Sequence, residues 1–85
     1  MNSTTTITNI SKRGWMWRVE WNDGTATWVQ VCKTAHNDSR KWNAQPLLRC
    51  AAGAVPIAEL SWSSHTRKGA ISGAARAMRA SHPNA

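Results

Sequence analysis

Cys32, His36, Cys50 and His65 are of the residue types that ligate zinc. They open with a C-x3-H pair, but the remaining two stand far apart and lack the close second pair of a zinc finger. The two cysteines therefore read as small buried hydrophobes and the histidines as loop residues, and no metal site is expected. Acid–base chemistry has little to work with: the four acids are Glu20, Asp23, Asp38 and Glu59. Asp23 belongs to a turn signal and Asp38 to a polar loop. Neither cysteine sits in a nucleophile motif, and no glycine-rich phosphate loop is present. General acid–base catalysis needs positioned titrating partners in a pocket, so the expectation is a non-enzyme with no catalytic residues and no cofactor.

Tryptophan and cations offer more. The chain has six tryptophans with no phenylalanine or tyrosine, and eleven lysines and arginines give a net charge of +7. Residues 63–85 carry Arg67, Lys68, Arg76 and Arg79 with no acid. Lysine and arginine attract phosphates, and an exposed indole stacks on an unpaired base for roughly 1–3 kcal/mol. Arg18, Trp28 and Gln30 combine these abilities, with Lys12 and Arg13 extending the charge. A plainer arrangement is open for the same residues. Arg18 would lie over Trp28 as a cation–π pair on a solvated sheet, and Arg76 and Arg79 would favour the negative end of a helix dipole.

These side chains need elements to position them. Residues 1–10 are polar and β-branched, an edge strand or a tail, with Lys12, Arg13 and Gly14 as the turn that follows. Trp15, Trp17, Val19 and Trp21 alternate with Met16, Arg18 and Glu20, so residues 14–33 read as a hairpin turning at Asn22-Asp23-Gly24. A two-residue Asp23-Gly24 loop would put Trp28 on the tryptophan face. A three-residue loop with left-handed Gly24 pairs Trp21 with Thr25, joins Val29 and Val31 to the tryptophans, and leaves Trp28 beside Arg18. The second register is favoured because it gathers more apolar side chains on one face.

Residues 34–54 read as a loop or short element. Pro46 could open a short helix ended by Gly53, or Leu47 to Cys50 could be a strand. Residues 55–62 read as a third main strand starting near Pro56. Ser63 or Ser64 caps a final helix over 64–80, with Ile71, Ala74, Ala75 and Met78 inward and Gly69, Gly73 and Ala77 as a groove of small residues. The fold class expected for residues 1–85 is a single α+β domain. It has a small antiparallel sheet of three to four strands and one C-terminal helix packed on its tryptophan-rich face. A chain of 85 residues buries only about 60% of its unfolded surface, so large aromatics matter disproportionately.

The order Trp17-Arg18-Val19, the Asn22-Asp23-Gly24 turn, a second strand, then Glu59 to Trp62 leading through Ser64-His65-Thr66-Arg67-Lys68-Gly69-Ala70 into a helix resembles phage-integrase arm-binding and AP2-type DNA-binding domains. The likeness covers roughly half the chain. It implies that a sheet face carrying Arg18, Glu20, Trp28 and Gln30 enters a groove while the helix packs behind. The leading expectation is a small basic nucleic-acid-binding accessory protein of bacterial or phage type, acting on DNA or RNA through Lys12, Arg13, Arg18, Trp28, Gln30, Arg67, Lys68, Arg76 and Arg79. The rival is a phage-encoded, anti-CRISPR-like module that inhibits a host defence or regulatory protein complex, with the same Trp and Arg residues as anchors. Pairing of two copies through the small-residue stripe would give a homodimer. The N-terminus has no basic n-region or apolar h-region, and no run is long and apolar enough for a membrane span. A cytoplasmic protein with reduced thiols and no membrane contact is expected.

Overall fold

The computed structural model describes residues 5–33, 42–50 and 53–81, arranged as an antiparallel sheet with one helix across a single face. The strands are β1 (Ile7–Arg13), β2 (Met16–Trp21), β3 (Ala26–Lys33), β4 (Trp42–Cys50), β5 (Gly53–Pro56) and β6 (Trp62–Ser64); the helix α1 spans Arg67–Ser81. The sheet runs β1-β2-β3-β4-β5, with β6 also paired to β4. The class is the α+β one expected, but the described residues form six strands rather than three or four.

The β2–β3 hairpin adopts the three-residue register. Trp17 pairs with Val29, Arg18 with Trp28 and Val19 with Thr27, while the Trp21 N–H donates to the Thr25 carbonyl at 2.9 Å. Gly24 has φ +87°, a conformation glycine enters without steric cost. Val19, Trp21 and Val29 thereby share the face that meets the helix. There they form the core with Ala44, Ala70, Ile71, Ala74 and Ala75.

The first hairpin differs from expectation. β1 continues through Lys12 and Arg13, and Arg13 pairs with Met16. The turn is Gly14-Trp15, with Gly14 at φ +65° in the first of two loop positions, the pattern of a II′ turn. Trp15 therefore leaves the alternation of β2. It is 61% exposed and is not a core residue.

Residues 42–50 form one strand, neither a helix nor a loop, and Pro46 sits fully buried within it. Proline tolerates this place because its neighbour changes there. β5 pairs with β4 from Leu47 onward and β6 pairs with it up to Ala44. The Pro46 carbonyl accepts from the Ile57 N–H at 2.9 Å in that gap. A strand residue's nitrogen points to the same side as its carbonyl, so the position needs no ladder donor.

Accordingly, residues 55–62 are not one strand. β5 ends at Pro56, a 3-10 turn covers Ala58–Leu60, and β6 starts at Trp62. Ser63 and Ser64 belong to β6, and the helix cap is Thr66, whose Oγ1 accepts from the Gly69 N–H at 3.0 Å. The inward face of α1 is Ala70, Ile71, Ala74, Ala75 and Met78. A Cβ at Gly73 would overlap the Trp62 ring and one at Gly69 would meet Ser64, so these two glycines make room for the chain's own β6. In contrast to the three-strands-then-helix layout of the resemblance, the strand entering the helix pairs with β4 and not with the hairpin.

Candidate nucleic-acid interface

Antiparallel pairing lines up side chains of successive strands in rows. On the face turned away from α1, one row is Ser11, Arg18, Trp28, Leu47 and Pro56. The neighbouring row runs Arg13, Met16, Gln30 and Gln45, with the Gln30 Nε2–H donating to Gln45 Oε1 at 2.9 Å. Arg49 stands beyond Leu47 on this side, where its guanidinium lies 5.3 Å from the Trp28 ring. Among the described residues no helix or strand lies across this outer face, because α1 packs on the opposite one.

The cations fall into two groups. Arg67 lies 4.9 Å from the Trp17 ring and 5.7 Å from Trp42, Lys33 lies 5.5 Å from Trp42, and Arg79 lies 4.9 Å from Trp21. Each pair holds a strand or helix in place, at about 0.5–2 kcal/mol depending on desolvation. Arg67 occupies the first helical turn, where the dipole disfavours a cation, and the two indoles offset that. Arg18 pairs with Glu20 at 3.2 Å, and Asn9 donates to the other carboxylate oxygen at 2.9 Å. By contrast, Lys12, Arg13, Lys68 and Arg76 have no ion pair or ring partner among the described residues.

The indoles divide in the same way. Trp17, Trp21, Trp28 and Trp42 each have a cation over the ring. The alternative Arg18–Trp28 stack is not formed; Arg49 lies over that ring instead. Among the described residues Trp15 and Trp62 have no cation partner, and they are 61% and 51% exposed. Trp62 rests on Gly73, whereas Trp15 stands at a hairpin tip directly after Lys12, Arg13 and Gly14.

The nine residues expected to act together are split by the sheet. Arg13, Arg18, Trp28 and Gln30 share the outer face, and Lys12 borders the tip but pairs opposite Trp17 on the helix side. Arg67 and Arg79 pin the two ends of α1, while Lys68 and Arg76 line a cleft beside it. Sequence reasoning missed Arg49, Gln45 and Trp15. The alternation Gln45, Leu47, Arg49 was the available signal for the first two, and Gly14 followed by Trp15 for the third.

Asp23 is held by the second turn. Its carboxylate accepts from the Thr25 hydroxyl at 2.6 Å and the Thr25 N–H at 3.0 Å, and it pairs with Arg79, which also donates to Thr25 Oγ1 at 2.7 Å. The Thr25 hydrogen bonds first, and the Arg79 guanidinium after them, hold its pKa below the ordinary carboxylate value.

Of the candidate metal ligands, the two cysteines stand at opposite ends of β4. Cys32 pairs with Asn43 near one end of β4, and Cys50 lies at the other end, roughly 23 Å away at about 3.3 Å per strand residue. His36 and Asp38 lie outside the described residues. Among the described residues no three ligand-type side chains gather. No described helix is long and apolar enough to cross a membrane. No protein family, curated protein or solved structure matches the chain.

Proposed function

We propose that the protein binds nucleic acid through the outer sheet face and the Gly14-Trp15 tip, with a preference for unpaired strands. The observation that carries this reading is the coincidence, on the sheet face turned away from α1 and at its hairpin tip, of Arg13, Arg18 and Arg49 with the exposed indole of Trp15. Lys12, Arg13, Arg18 and Arg49 would neutralise phosphates, and a base would stack on Trp15. Stacking on an aromatic face tolerates any base, so affinity would depend weakly on sequence. Trp28 has a smaller part here than Trp15, because Arg49 already shares its ring. Gln30 and Gln45 bond to each other and would supply polar contacts between the cations.

The test is fluorescence anisotropy with labelled single-stranded and duplex oligonucleotides across a salt series. Four phosphate contacts predict a log–log salt slope of about −3 on a single strand. Arg13→Ala should reduce that slope by about one. Absence of binding at low salt, or a slope unaffected by Arg13→Ala and Arg49→Ala together, would remove this reading.

A further inference from the structure

The helix leaves part of its own side of the sheet bare. α1 packs over β3, β4 and β6 and reaches β2 only slightly. Between its flank and β1 lies a cleft of about 480 Å³. Ile7, Ile10 and Ile71 give it an aliphatic floor, and Arg67, Lys68 and Arg76 give it a cationic rim with no acid in the lining. Ile7 and Ile10 are only half buried, so this apolar surface is partly in water.

We infer that this cleft docks an acidic amphipathic helix from a partner protein, lying over β1 alongside α1. The spacing suits it. Two strand intervals amount to about 10 Å, and packed helices stand about 8–10 Å apart. A second helix beside α1 would thus lie over β1, where Ile7 and Ile10 are half exposed, and extend the helical layer past the buried Val19 and Trp21 of β2. Leucine-type side chains spaced along one face would enter the isoleucine floor, the usual form of helix-in-groove recognition. Glutamates flanking them would meet Lys68 and Arg76, which have no ion pair among the described residues.

Charge selects against the other occupants. A second copy of this chain also carries +7 and would bring like charge to the rim. A nucleic-acid strand would find cations but no base-stacking face: the floor is isoleucine, and the Trp17 ring is already paired with Arg67. The cleft is on the helix side of the sheet and the proposed nucleic-acid surface on the other, so neither inference depends on the other.

The experiment measures binding of the full chain to two fluorescein-labelled helical peptides of identical leucine spacing, one with glutamate and one with lysine on the remaining positions. The wild type should bind the glutamate peptide and not the lysine peptide. The double variant K68E/R76E, altered at two exposed unpaired positions, should lose roughly tenfold or more toward the glutamate peptide and acquire binding to the lysine peptide. Ile10→Ala should weaken glutamate-peptide binding, and Trp15→Ala should leave it intact. Equal binding of both peptides, no binding of either, or a preference unchanged by K68E/R76E would overturn the inference. Displacement of the peptide by a saturating oligonucleotide would also overturn it, by making the rim a general polyanion surface.

Discussion

The two turns at opposite ends of β2 both rest on a glycine with positive φ, yet they are built for different ends. At Asn22-Asp23-Gly24 everything is tied: Asp23 bonds Thr25 and Arg79, and Arg79 covers Trp21, whose indole N–H donates to Thr27 Oγ1 at 2.8 Å. At Gly14-Trp15 nothing is tied, because Lys12 and Arg13 lack partners among the described residues and the indole faces water. The same pairing of tryptophan with arginine is therefore a fastener at one end and an open surface at the other. Composition alone cannot tell them apart. What separates them is whether a helix side chain bonds the turn itself: Arg79 reaches Asp23 and Thr25, whereas Arg67 stops at the Trp17 ring.

Substitution at the two indoles should break this comparison most visibly. Trp21→Ala removes a buried ring and its hydrogen bond and should cost about 3–5 kcal/mol in urea unfolding. Trp15→Ala should change stability by no more than about 0.5 kcal/mol, as at other solvent-facing sites. For oligonucleotide binding the ranking reverses, with Trp15→Ala weakening single-strand affinity by about 1–3 kcal/mol, measured by anisotropy. Equal stability losses at the two positions would mean that the tip is anchored after all.

A smaller effect is expected at the arginines. Arg79→Ala removes a ring contact and a partly exposed ion pair, and should lower stability by about 1 kcal/mol, whereas Arg13→Ala should leave the urea midpoint unchanged. The smallest effect concerns pH. Because the folded-state pKa of Asp23 is depressed, its contribution is complete above the unfolded carboxylate pKa and disappears as pH falls through the folded value. Asp23→Asn should therefore cost stability at neutral pH and flatten its decline in acid, as read from thermal unfolding at several pH values.

Much of this arrangement was legible in the residues themselves. The β2–β3 register followed from Asn22-Asp23-Gly24 and from Val29 and Val31 needing the tryptophan face, and α1 from the spacing of Ile71, Ala74, Ala75 and Met78. β4 was hidden, since Pro46 argues against a central strand unless its neighbour changes from β5 to β6 at that residue, which is a tertiary fact. Arg49 was lost with it. Trp15 was misassigned because period-two alternation runs on through the turn, and only the left-handed Gly14 shows where the strand begins. The split of the cations was also invisible, for it depends on which of them α1 brings against an indole.

Amide chemical-shift mapping during titration with a short single-stranded oligonucleotide would show whether nucleic acid meets the outer face and the exposed tip. Shifts are expected at Arg13, Trp15, Arg18, Gln30 and Arg49, with the Trp15 indole N–H among the largest, and little change along α1. Shifts confined to Lys68, Arg76 and the cleft beside β1 would contradict that placement.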